Sequence, residues 1–280
     1  MTEVAQIPDL LMFRPGARVA DIDTGATPGF SGSKTEAAPV QAERSRRLAE
    51  LQEMLYAASK GGDKRSVLLV LQGMDAAGKG GIVKHVVGAV NPMGVRYTAF
   101  GKPTEEERAH HYLWRIKRAL PPAGHIGVFD RSHYEDVLIV RVHNMVPPDM
   151  WGARYDEINA WERELVDGVT TLVKVAMFIS LDEQKKQLLE RLDDPTKYWK
   201  YNPGDIDERK LWPQYSEAYQ AMLDRTSTDY APWHVLPCDR RWYSRLAVTE
   251  LLIRALEGLD LSYPPADFDI EAERKRLLES

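Results

Sequence analysis

The chain has 280 residues, 44% of them hydrophobic and 28% charged, which is enough to bury the core of one large domain. Its net charge of −5 excludes a protein that coats nucleic acid or an anionic membrane through overall balance, so an anionic ligand has to be held by local clusters of cations. Cys238 is the sole cysteine, which rules out an intrachain disulfide and a thiolate cluster for zinc.

The opening MTEVAQIPDL carries acidic residues and lacks the basic-then-apolar order of a signal peptide. No apolar run approaches the roughly eighteen residues that span a bilayer. The expected compartment is the cytoplasm, with neither a membrane nor a nucleic acid as partner. Residues 1–40 crowd Thr, Gly, Ser and Pro together (TGATPGFSGSKTEAAP), a composition that predicts an irregular arm. From 41 to 60, Leu48, Leu51, Met54 and Leu55 recur at helical spacing, predicting an amphipathic helix that feeds the first strand. A single domain is expected over 41–265, followed by a tail at 266–280.

Residues 66–84 read SVLLVLQGMDAAGKGGIVK: a β-branched run, then Gly73-x-x-x-x-Gly78-Lys79, then a segment able to continue as a helix. Strand, glycine loop and helix in that order make a phosphate-binding P-loop. The glycines let successive N–H groups turn into one concavity, which assigns Gly73, Ala76, Ala77, Gly78, Lys79, Gly80 and Gly81 to phosphate, with Lys84 further along the same helix. The residue after Lys79 is Gly80, where a Ser or Thr hydroxyl ordinarily ligates magnesium. Asp75 inside the loop is assigned that role, because a carboxylate among phosphate-facing amides repels the ligand unless a cation lies between them. The alternative for Asp75 is an aspartate that stabilises the turn through its own backbone.

Val95–Phe100 reads as a second strand, and Thr104–Glu107 has capping-box spacing that opens a helix reaching about Leu120, where Pro121 and Pro122 end it. His125–Phe129, Leu172–Leu181 and Trp233–Cys238 read as three more strands. Strands separated by helical stretches imply parallel pairing with right-handed crossovers. The fold expected is therefore α/β, a three-layer P-loop kinase with a mainly parallel sheet and helices on both faces. No dinucleotide fingerprint, zinc or calcium pattern or Gly-x-Ser-x-Gly elbow is present.

In open α/β sheets chemistry collects at the carboxyl ends of strands. Asp130 stands at such an end and forms, with Asp75, a two-carboxylate site for the metal. Arg131 follows with a guanidinium able to grip phosphate oxygens bidentately. Glu135 and Asp136 come next, as nucleotide contacts or as structural ion-pair partners. The polar stretch over about 182–211 predicts a helical lid whose Arg191, Lys197, Lys200 and Arg209 lower positive charge onto phosphates. Lys64, Lys102, Arg108, Arg115 and Arg118 supply further cations for a polyanion groove, and whether they converge is not a sequence property.

GMDAAGKGG at 73–81, PTEEER at 103–108, FDRSHYEDV at 129–137 and the run DDPTKYWKYNPGDIDERKLW together resemble the polyphosphate kinase 2 family over roughly residues 40–265. The resemblance implies a thymidylate-kinase-like fold and a homo-oligomer, dimer or tetramer. It implies inorganic polyphosphate as phosphoryl donor, AMP or ADP as acceptor, ADP and ATP as products, and magnesium as cofactor with manganese able to replace it. By that likeness Asp75 and Asp130 match the family's two acids, Lys79 its P-loop lysine, Arg131 the arginine of the second motif and Arg191 a lid arginine. SHYEDV looks most like class III, the branch that carries AMP through ADP to ATP. That branch is associated with asparagine where this chain has Asp130, and aspartate with branches limited to one step. An ATP-dependent small-molecule kinase and a non-catalytic phosphate sensor are the competing classes.

Overall fold

The computed structural model describes residues 3–280. Five strands, β1 (Ser66–Gly73), β2 (Val95–Ala99), β3 (Ile126–Asp130), β4 (Thr170–Phe178) and β5 (Trp233–Pro237), form one sheet in the order β2-β3-β1-β4-β5. Every pairing is parallel. The first helices are α1 (Ile7–Leu11), α2 (Lys34–Lys60), α3 (Lys79–His85), α4 (Glu105–Arg108), α5 (Leu113–Arg118) and α6 (Ile139–Val142). They are followed by α7 (Pro148–Asp167), α8 (Leu181–Asp193), α9 (Gly204–Lys210), α10 (Trp212–Thr226), α11 (Arg241–Glu257) and α12 (Ile270–Leu278). No described helix is long and apolar enough to cross a membrane.

The near-continuous apolar strands follow from burial on both faces. Alternate residues of β1 enter two separate cores: Val67, Leu69 and Leu71 pack with α2, α3 and α11, while Leu68 and Val70 pack with α5, α7 and α10. This makes three layers, with the glycine loop emerging from the middle strand.

Three details depart from the sequence reading. The helix expected from 41 begins at Lys34, because Ser33 and Glu36 close a capping box that satisfies its first turn. Residues 3–33 run along the molecule: Val4, Ile7 and Leu11 enter the core beside α11, and Met12 bridges His234 on the edge strand β5. The single helix expected over 104–120 is two, α4 and α5, broken at Ala109–Tyr112. There the His111 ring nitrogen accepts the Leu113 N–H at 3.4 Å and His110 stacks on Trp114 at 4.2 Å, side-chain contacts that compete with the helical ladder.

A polar network lies beneath β3. Lys174, central in β4 and fully buried, donates to Glu162 Oε2 at 2.6 Å, the Thr226 carbonyl at 2.7 Å and the Tyr134 hydroxyl at 2.9 Å. Glu162 Oε1 meets the Tyr134 hydroxyl at 2.7 Å and His133 Nε2 at 3.1 Å. Burial alone would raise the Glu162 pKa, but Lys174 and His133 hold the carboxylate ionised below its usual range. Glu162→Ala, which strands Lys174, is expected to lower stability by about 3–5 kcal/mol, and the paired Glu162→Leu, Lys174→Met variant by much less. Urea midpoints of the three proteins check this.

His234 is buried, and desolvation pushes its pKa down to about 4 from the ordinary 6.5. The folded state therefore keeps it neutral where the unfolded chain takes up a proton. Its contribution is complete above pH 6.5 and is lost as pH falls towards 4, by about 2–3 kcal/mol. His234→Gln is expected to flatten that part of the pH–stability curve, and an unchanged slope contradicts it.

Candidate active site

β1 delivers the chain to Gly73, where a Cβ would stand 2.8 Å from the Met177 Cβ on β4, so only glycine fits. The loop then turns through two residues in the left-handed region, Ala76 at φ 64° and Gly78 at φ 104°. Among the described residues the N–H groups of Ala76, Gly78, Lys79 and Gly80 find no acceptor, and a Cβ at Gly80 or Gly81 would meet nothing within 4 Å. These donors and that open space form an anion cradle. Ala77 and Gly81 differ from the expectation: their N–H groups bond Met74 and Gly78 carbonyls at 3.1 and 2.8 Å, and Ala77 packs into the core. Lys79 Nζ donates to the Gly73 carbonyl at 2.6 Å, which curls the ammonium over its own loop.

The register pairs Asp130 with Leu71 of β1 and Ala99 of β2, at the same carboxyl edge as the loop. Tyr97 on β2 reaches Asp130 Oδ2 with its hydroxyl at 3.3 Å. Arg131 has φ 64°, a left-handed conformation that a residue with a Cβ adopts at a cost. Its N–H bonds the Leu71 carbonyl at 3.0 Å, and its Nη2 donates to Asp75 Oδ1 at 2.9 Å. Burial works against the charge of this guanidinium, and Glu135, Asp75 and Asp130 outweigh it, leaving the pKa raised. Fully buried Gln72 fixes the segment that follows: its Oε1 accepts from Ser132 Oγ at 3.1 Å and its Nε2 donates to Glu135 Oε1 at 2.7 Å.

The helices after β4 join the same cluster. Gln184 on α8 donates to the Asp75 carbonyl at 2.8 Å and accepts from Arg209 of α9 at 2.6 Å. Asp205, buried in α9, lies 3.3 Å from Arg191. Its carboxyl is raised by burial and then by the charge of Asp75, with Arg191 and Arg131 opposing. Arg191 is therefore an internal strut, also donating to the Lys200 carbonyl at 3.1 Å, where the sequence suggested an exposed lid cation.

The structure thus gathers Asp75, Lys79, Asp130, Arg131 and Glu135 around the loop and brings Arg191 in through Asp205. Three assigned residues have partners elsewhere, and a fourth, Lys84, is simply exposed on α3. Asp136 pairs with Arg154 of α7 at 3.0 Å, and burial raises its pKa to about 6. Lys197 pairs with Asp194 at 2.9 Å and Lys200 lies over the Trp199 ring at 4.8 Å. Gln72, Tyr97, Gln184 and Asp205 were not singled out from sequence. A lone glutamine closing an apolar strand was the one readable sign among them.

A parallel sheet, a glycine loop with free amides at its central strand, and acids and an arginine at the neighbouring carboxyl end define a P-loop phosphotransferase. The family model described as Polyphosphate kinase 2 matches residues 32–263, and the chain belongs to the polyphosphate kinase 2 family. It is 48% identical over 242 residues to the AMP/ADP-polyphosphate phosphotransferase of Meiothermus ruber, covering 86% of this chain and 89% of that protein. To the ADP-polyphosphate phosphotransferase of Rhodopseudomonas palustris it is 40% identical over 245 residues, covering 83% and 82%. The crystal structure of Polyphosphate Kinase 2 from Arthrobacter aurescens TC1 matches with a TM-score of 0.96 at 51% identity, covering 98% of this chain and 97% of that one.

Arg191→Ala leaves the Asp205 carboxylate buried without its partner. The expected loss is about 2 kcal/mol, well above that of an exposed ion pair, and Asp205→Asn in the same background should recover part of it. Thermal melts of the two variants measure the difference.

Proposed function

We propose that the protein transfers phosphoryl groups from inorganic polyphosphate to AMP, and then to ADP, giving ATP through an ADP intermediate. The observation that carries this reading is the juxtaposition of the free P-loop amides and Lys79 with Arg131 and its surrounding carboxylates. The name of the Meiothermus ruber relative, which includes both AMP and ADP, supports the two-step form.

The acceptor is a phosphate oxygen, which is already ionised near neutral pH, so the attack needs no strong general base. Placement and charge neutralisation carry the rate. The amides of Ala76, Gly78, Lys79 and Gly80 would bind the donor's phosphate oxygens, and Lys79 would swing from the Gly73 carbonyl to join them. Arg131, held in direction by Asp75, would stabilise charge on the group in transfer. Gln184 and Arg209 would tie the α8–α9 segment to the loop and exclude water, a competing acceptor.

The donor set fits magnesium, or manganese in its place. Asp75 and Asp130 offer hard carboxylate oxygens, and Gly80 offers no hydroxyl. Among the described residues no three His, Cys, Asp or Glu side chains converge into a closed metal cage, which suits an ion that takes the rest of its ligands from water and substrate phosphates. Such an ion, held by Asp75 and Asp130, would neutralise charge between donor and acceptor phosphates.

The test is purified protein with polyphosphate, magnesium and AMP or ADP, products resolved by chromatography. ADP followed by ATP from AMP is expected; accumulation of ADP alone refutes the second step, and turnover with ATP but not polyphosphate makes the protein an ordinary nucleotide kinase. Lys79→Ala should cut the rate on the order of 10² to 10⁴ while the melting temperature holds. Asp75→Asn should raise the magnesium concentration needed for half-maximal rate. Asp130→Asn should shift the ratio of the two steps more than polyphosphate binding.

A further inference from the structure

At the outer edge of the sheet, the end of β2 and the α4–α5 pair border an open pocket of about 420 Å³, which gathers three of the five cations that the sequence offers for a polyanion groove. Four cations line it, Arg96, Lys102, Arg115 and Arg118, against one carboxylate, Glu107. Strand alternation sets its position. Tyr97 points to the face that carries Asp130, while Phe100, which lines the pocket, belongs to the core on the α5 and α7 side. The pairing of Ala99 with Asp130 brings the pocket's rim to the carboxyl edge where the P-loop site lies.

Two of the four guanidinium and ammonium groups, those of Arg96 and Arg115, are held in direction by backbone carbonyls. Arg96 donates to the carbonyls of Arg118 and Leu120 at 2.8 and 2.9 Å, and Arg115 to the Gly101 carbonyl at 2.9 Å. Glu107 is already engaged, accepting the Thr104 N–H at 2.9 Å and standing 3.5 Å from Arg115. Asp136, the next acid near Arg115, is paired with Arg154. Lys102 has no ion-pair partner among the described residues. Trp114 is already engaged, stacked with His110 at 4.2 Å and with the Arg118 guanidinium over its ring at 4.6 Å. A concave site with preset guanidinia and an unpaired lysine selects for negative charge and for oxygens that accept several hydrogen bonds.

We infer that this pocket is a second phosphate-binding site, which takes phosphoryl groups of a substrate whose reacting phosphate lies at the P-loop. The inference rests on the phosphotransfer reading above. Two sources supply the same oxyanions: the remaining units of the polyphosphate chain, or the phosphate of the acceptor nucleotide.

The experiment is steady-state kinetics of Lys102→Gln, Arg118→Gln and the double variant, with polyphosphate and AMP varied in turn. The double variant is expected to raise KM for one of the two by about tenfold or more, the size of one or two lost charge-assisted hydrogen bonds, with kcat within about twofold. The substrate whose KM rises identifies the source. Lys117→Gln, which removes a charge from the same helix outside the pocket, should leave both KM values unchanged. A folded double variant with both KM values within about twofold of wild type overturns the site. Calorimetry keeps the two readings separable: tripolyphosphate should still bind Lys79→Ala protein, and more weakly once Lys102 and Arg118 are also replaced. No binding to Lys79→Ala protein, or binding indifferent to the pocket replacements, overturns the site. Absence of polyphosphate-dependent turnover in the wild type refutes the donor reading alone.

Discussion

The arrangement of the site depends on one guanidinium. Arg131 stands at the end of β3 in a left-handed backbone conformation, with Asp75 bonded to it and Asp130 and Glu135 within electrostatic reach. Its N–H on the Leu71 carbonyl locks the turn to the central strand, and its side chain fastens the glycine loop to the neighbouring strand's end. One guanidinium thus ties the acids of the loop to those at the end of the neighbouring strand.

This position is supported from below as well as from the loop. The residues after Arg131 enter the core: Ser132 meets Gln72, and His133 and Tyr134 meet Glu162 and Lys174. A strained residue persists only where its surroundings over-determine it. The buried network supplies that determination, since a backbone flip at Arg131 would break its N–H bond to the buried Leu71 carbonyl and pull Ser132 away from buried Gln72. The α8–α9 segment adds a third attachment through Gln184 and Asp205, so strand, loop and helical cover are coupled through the same few polar groups.

Much of this was legible because its causes are local. Apolar runs of strand length, the glycine loop and the capping box at Thr104 each declare themselves over fewer than ten residues. What stayed hidden depends on partners far apart in the chain. Arg191 reads as one more lid cation until α9 brings Asp205 against it, and Asp136 reads equally as a nucleotide contact or an ion-pair partner until Arg154 claims it. Lys102, Arg115 and Arg118 gather at one pocket with Arg96, whereas Lys84 lies on α3 outside it, a division that spacing does not reveal. Lys174 had a readable sign, a lysine inside LVKVAMFISL, since a buried strand admits such a residue only with a partner. The long helix α7, which carries Glu162, gives only a weak periodic signal, because its charged residues dilute the apolar period.

On the function proposed above, Arg131 is the cation that holds the site's carboxylates until a divalent ion shares them. Calorimetric titration of manganese into substrate-free wild-type and Arg131→Gln protein tests it directly. Removing the guanidinium frees Asp75 and unmasks the charge of Asp130 and Glu135, so the variant is predicted to bind the ion about tenfold more tightly while losing phosphoryl transfer. Equal or weaker metal binding by a folded Arg131→Gln protein would contradict the claim and leave Arg131 as a phosphate contact with no part in balancing the acids.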